Sequence, residues 1–128
     1  MNLNEYQYKA TRTMSNLDGT LMNIIHMLLG IGTELGELQD QYKKHIAYGR
    51  KLDIVNVEEE IGDIMWYIAN LCTVLNLKLE TVLDQNIEKL EARYPEKFLQ
   101  EKAENRDLDK ERKVLEGKSQ LTIISEPE

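Results

Sequence analysis

Residues 20–48 read TLMNIIHMLLGIGTELGELQDQYKKHIAY. Within them Leu21, Ile24, Ile25, Leu28, Ile31, Leu35, Leu38, Tyr42 and Ile46 return at helical spacing over many turns, which predicts one long helix. Asp18 stands ahead of it in the N-cap position. Residues 49–53 form a connection, after which Asn56 with Glu59 three residues on resembles a capping box, with Asn in place of Ser or Thr. The helix opened there extends to about residue 75, with Val57, Ile61, Ile64, Met65, Ile68, Cys72 and Leu75 on its core face and Asn76 as its stop. A further helix over residues 79–93 presents Leu79, Val82, Leu83, Ile87 and Leu90, and ends before Pro95 because the residue preceding proline resists helical geometry. Upstream, residues 4–14 offer a weaker amphipathic pattern through Tyr6, Ala10, Thr13 and Met14.

The expected fold is therefore all-α: an antiparallel bundle of four core helices over residues 1–95, with a charged C-terminal extension over 96–128. Residues 96–118 carry acids and bases in equal number and few apolar side chains, as a solvated helix or a flexible tail would. Residues 119–128 read as a tail, with 121–124 as its apolar stretch.

Composition narrows the function. The chain has 128 residues, 41% hydrophobic, enough for one compact domain with a core. Its single cysteine, Cys72, excludes an internal disulfide framework and a multi-cysteine zinc site. A net charge of -7, without a basic stripe, argues against nucleic-acid binding. The longest apolar run is broken by Asn23 and His26 and is too short to span a bilayer. The first residues are polar and lack a signal-peptide core, so a cytoplasmic protein with no membrane partner is expected.

Against that background, two acidic pairs stand out: Glu34 with Glu37, and Glu60 with Asp63. Each is spaced i, i+3, so its members share one helix face with Cβ atoms about 5–6 Å apart. At about 100° per residue both pairs lie at the same offset from the centres of their apolar stripes, Leu35 and Ile61. A reversal of the chain between residues 38 and 59 lets the pairs face each other. An acidic pair on a helix is ordinarily a solvated face. Here Gly30, Gly36 and Gly62 interrupt the same helices at a cost of about 1 kcal/mol each relative to alanine, which suggests close approach by a neighbour or ligand. Met22, Leu29 and Trp66 occupy a further face, leaving little of either helix for water. Four carboxylates in such surroundings suggest hard divalent cations, Mg²⁺ or Mn²⁺. A di-iron bundle fails, because neither His26 nor His45 follows a Glu by three residues. Gly30, Gly32 and Gly36 do not make a dinucleotide loop, since they sit mid-helix with no preceding strand.

Taken together, Gly32-Thr-Glu34-Leu-Gly-Glu37-Leu, then Glu58-Glu-Glu60-Ile-Gly-Asp63-Ile-Met-Trp66-Tyr67, then Asn86-Ile-Glu-Lys89-Leu-Glu-Ala-Arg93-Tyr-Pro95, resemble the MazG-like all-α nucleoside triphosphate pyrophosphohydrolases. The likeness spans most of the chain, about residues 6–98. It implies that Glu34, Glu37, Glu60 and Asp63 are Mg²⁺ ligands, that Glu59 is the acid often found beside them, and that Lys89 and Arg93 are a phosphate-contacting basic pair. Where many members have a second acid beside the first ligand, this chain has Thr33. The implied reaction is attack near the α-phosphate of a nucleoside triphosphate, giving the monophosphate and pyrophosphate.

Simple electrostatics agrees with that implication. Four carboxylates need about two divalent ions before an anionic triphosphate can enter, and two ions can divide water activation from leaving-group stabilisation. Glu37 or Glu59 is the candidate to orient the attacking water. Lys89 and Arg93, four apart on one face, suit the β- and γ-phosphates. Tyr67, Asn86 and Lys44 are weaker candidates for substrate contact, and His26 reads as a packed or interface residue. Helices apolar on more than one side point to a homodimer or dimer of dimers, and the family assembles that way. The competing reading is a non-catalytic helical module that binds metal or nucleotide.

Overall fold

The computed structural model describes residues 1–118; the apolar stretch expected at 121–124 lies outside them. The described residues are helical, without a strand: α1 (Leu3–Thr11), α2 (Thr20–Tyr48), α3 (Ile54–Val74), α4 (Leu79–Arg93), α5 (Gln100–Glu104) and α6 (Leu108–Lys118). They divide into two compact units, the first over Met1–Leu79 and the second from Glu80 onward. The boundary expected at residue 95 falls inside the second.

In the first unit α3 packs against both α2 and α1. Its core gathers Ala10, Ala69, Cys72 and Leu79, with Tyr6, Met65, Trp66 and Ile68 packed around them. Asn70 is fully buried there and donates to the Ala10 carbonyl at 3.3 Å. Gln7 ties α1 to the end of the unit. Its amide donates to the Leu77 carbonyl at 2.9 Å and the Thr73 hydroxyl at 3.1 Å, while its oxygen accepts from the Leu79 N–H at 2.8 Å. α1 is shorter than the expected 4–14. A capping box between Asn2 and Glu5 opens it, and the Thr13 hydroxyl closes it by donating to the Ala10 carbonyl at 3.1 Å.

The caps differ from those expected. At the start of α2 the N-cap is Gly19, at φ 89°, with no side-chain cap from Asp18. The buried Asn23 instead fastens the turn that precedes the helix. Its carbonyl oxygen accepts from Leu17 N–H at 3.0 Å, and its amide donates to the carbonyls of Leu17 and Gly19, both at 3.2 Å. α2 ends at Gly49, whose left-handed φ of 64° suits glycine. α3 is capped by Asp53, not Asn56, because the Asp53 carboxylate accepts from the N–H groups of Val55 and Asn56. Asn76, the expected stop, has a positive φ of 56°.

The stripe expected to face the core along α2 lies instead largely on the surface of the single chain. Leu21, Ile25, Leu28, Leu35, Tyr42 and Ile46 are exposed, and the helix buries Asn23, Met27 and Gly30. The reason is geometric: Asn23, Met27 and Gly30 recur at steps of four and three, about 80–140° around the helix from Leu35, and it is their side that meets α3. Of the side chains placed on a further face, Met22 and Leu29 are exposed. Trp66 is half-buried against the core, and its indole N–H donates to the Thr13 hydroxyl at 2.9 Å. Of Gly30, Gly36 and Gly62, it is Gly30 that meets a close neighbour: a Cβ there would overlap the Tyr67 ring, whereas Gly36 and Gly62 face open space in the single chain.

The second unit is organised by charge. Glu111 of α6 is buried; it accepts from Arg93 Nε at 2.5 Å on one oxygen and from Arg106 Nη2 at 2.6 Å on the other. Gln85 adds a bond to the Leu115 carbonyl at 3.2 Å. Residues 96–118 thus contain helices held by buried polar contacts.

Candidate metal centre

The connection over 49–53 is short, so α2 and α3 run side by side in opposite directions. That reversal brings the two acidic faces together. Glu34, Glu37 and Glu60 each place a carboxylate oxygen within 4.8 Å of the others. Glu37 is exposed, Glu34 half-buried and Glu60 buried, at 6% exposure. Asp63, one turn beyond Glu60, is exposed and stands outside this trio, but its charge reaches both Glu34 and Tyr6.

The electrostatics are those of acids crowded without a counter-charge. Burial first, then the Glu37 charge, contact with Glu60 and the Asp63 charge push the Glu34 carboxyl above the usual range. Burial, reinforced by Asp63, likewise raises the Tyr6 phenol. Glu60 is more sharply placed. Its Oε1 accepts from Asn56 Nδ2 at 2.8 Å, while its Oε2 is buried with no hydrogen-bond partner. A buried carboxylate oxygen without a donor is costly, and a divalent cation held by Glu34, Glu37 and Glu60 would offset that cost. The donor set is all oxygen, as Mg²⁺ and Mn²⁺ require, so the residues present fit such an ion.

The remaining sequence candidates are distributed unevenly. Glu59 is exposed on α3, outside the trio. Tyr67 lies against the Gly30 backbone, edge-on to His26 at 6.1 Å and to Trp66 at 4.9 Å. Lys44 is engaged by Asp40 of its own helix at 2.5 Å, which draws the Asp40 carboxyl below the usual range. Asn86, Lys89 and Arg93 belong to the second unit. Asn86 is exposed and Lys89 half-buried, and Arg93 is held by Glu111. Thr33 turns its hydroxyl back to the Gly30 carbonyl at 3.0 Å.

Asn56 is one residue whose role the spacing of a capping box conceals: its side chain serves Glu60 and not the cap. The signal was present in the spacing, because an amide and a carboxylate four apart on a helix meet. Glu111 was missed because a lone acid in a charged segment gives no sign of burial.

Comparison with known proteins relates the sequence to one family. The model of the MazG nucleotide pyrophosphohydrolase domain matches residues 23–98. The chain is similar to the Gene 37 protein of Mycobacterium phage L5, 31% identical over 94 residues that cover 68% of this chain and 80% of that protein. No solved structure matches. The matched segment holds all four acids together with Asn86, Lys89 and Arg93; α1 and α6 lie outside it.

Proposed function

This chain belongs to the MazG nucleotide pyrophosphohydrolase domain family, and on that basis we propose that it hydrolyses a (deoxy)nucleoside triphosphate to the monophosphate and pyrophosphate. Water adds to the α-phosphorus, the bond from that phosphorus to the bridging oxygen of the β-phosphate breaks, and the proton of the water passes to solvent. The observation that carries this reading is the convergence of the Glu34, Glu37 and Glu60 carboxylates, the buried one of which, Glu60, has an oxygen with no donor.

Glu34, Glu37, Glu60 and Asp63 hold Mg²⁺, or Mn²⁺, with two or more ions at the site. When bound, the ions neutralise the acids and the incoming phosphates and lower the pKa of water. Glu37, the exposed member of the trio, or the neighbouring Glu59 orients the attacking water. Lys89 and Arg93 contact the phosphates, with Asn86, Tyr67 and Lys44 as further substrate contacts. In the cell the reaction controls or cleans a nucleotide pool, in the cytoplasm.

The functional form in this reading is a homodimer or dimer of dimers. Leu21, Leu28, Leu35 and Tyr42 recur every seven residues along the exposed side of α2, and Met22 and Leu29 are also exposed. A continuous apolar seam of this kind marks an association surface. Among the described residues no helix is long and apolar enough to cross a membrane.

The test is incubation with each of the common ribo- and deoxyribonucleoside triphosphates in Mg²⁺, resolving the products by chromatography. Equal amounts of monophosphate and pyrophosphate are expected from at least one substrate. Orthophosphate as the sole inorganic product would overturn the proposed reaction, and no turnover across the panel would overturn it and leave the non-catalytic module.

A further inference from the structure

We infer that Asn56 is a positioning residue for the metal centre, fixing Glu60 so that its Oε2 is presented to the cation. The inference rests on the proposed metal-dependent function and deepens it.

The rotation that swings a glutamate's two oxygens is soft and broad, so an isolated Glu60 would offer either oxygen in many orientations. Asn56 removes that freedom. Its Nδ2 donates to Oε1 at 2.8 Å, and the second oxygen stays buried and undonated on a carboxylate that lies within 4.8 Å of those of Glu34 and Glu37. An amide suits this role by charge as well as by shape. It is a neutral donor, so it orders the carboxylate without competing with the cation as a lysine or arginine would.

The backbone and side chain of Asn56 do separate work. Its backbone N–H is bound by the Asp53 cap, which holds the first turn of α3. The side chain bonds forward to Glu60 instead of back to the cap. A substitution that removes only the amide therefore leaves the cap in place, and its effect reports on Glu60. Hydrogen bonds to metal ligands of this kind are worth about 10–100-fold in metal affinity.

The experiment titrates the full chain with Mn²⁺ alone, following free ion by electron paramagnetic resonance, for the parent, Asn56→Ala and the near-isosteric Asn56→Leu. Both variants are expected to bind Mn²⁺ about 10–100-fold more weakly, with helical content by circular dichroism unchanged. Parent-like affinity in either folded variant overturns the inference, even if its metal-free melting temperature falls. Failure of the parent itself to bind Mn²⁺ overturns the metal reading of the whole site, which separates the two failures. A readout free of substitution is the Asn56 side-chain amide signal in a nitrogen–proton correlation spectrum during Mg²⁺ titration. It should shift with the midpoint of binding; a signal unmoved at saturation overturns the inference.

Discussion

Arg93 and Glu111 meet through an Nε to Oε1 hydrogen bond of 2.5 Å, and both side chains are largely withdrawn from water. With Arg106 on the other oxygen, Glu111 carries two guanidinium partners, and they hold its carboxyl down to about 2 from an ordinary 4.5. A carboxyl lowered by folding contributes stability that is complete above its unfolded value and is lost as pH falls through its folded one. Glu111→Gln should therefore melt below the parent at neutral pH, and the gap should close between about pH 4.5 and 2. Paired thermal melts across that range measure it. A gap independent of pH would mean that the ion pair contributes nothing.

Glu34 carries the opposite sign. Its carboxyl is raised above 4.5 by burial and by Glu37, so the metal-free chain is favoured with Glu34 protonated and loses stability as pH climbs through the raised value. At neutral pH, Mg²⁺ should restore the loss by binding the folded state. Glu34→Gln should melt higher than the parent without Mg²⁺ and gain little when it is added. Scanning fluorimetry with and without the ion at pH 5 and pH 7.5 resolves both effects.

Removing a ligand should separate chemistry from folding. Glu37→Gln, Glu60→Gln and Asp63→Asn are each expected to cut pyrophosphate release by more than about 100-fold, beyond the loss typical of residues that merely support a ligand. Their far-UV dichroism should match the parent. Undiminished turnover in all three would remove the metal centre from the mechanism.

Gly30 and Gly62 should respond to alanine in opposite directions. A Cβ at Gly30 collides with the Tyr67 ring, and overpacking of that kind costs about 1–3 kcal/mol. Gly62 faces open space within the chain, so the better helix propensity of alanine should stabilise by up to about 1 kcal/mol. Urea denaturation of the two variants without metal compares them directly.

Much of this was readable in residue spacing. The limits of α2 follow from its apolar period and Gly49, and the acidic faces follow from two i, i+3 pairs. Gly30 signalled a close neighbour, which proved to be Tyr67. Local competition was harder to read. Asp18 and Asn56 have good capping chemistry, but α2 starts at Gly19 without a side-chain cap, and Asp53 takes the N–H groups at the start of α3. The direction of the α2 stripe was also hidden, because periodicity reveals a face and not what covers it. In the second unit, composition described residues 96–118 as solvated, although a single buried Glu111 was enough to gather two arginines.

The clasp made by Gln7 sets a lower limit on how far this protein can be pared down. The family match begins at residue 23, yet Tyr6, Gln7 and Ala10 line and latch the same core as Ala69, Cys72 and Leu79. A fragment cut to residues 23–98 would keep every acid of the candidate centre and forfeit the lid over the oily interior behind it. Such a fragment should clump or melt early, so the smallest autonomous form must retain its amino-terminal turnings.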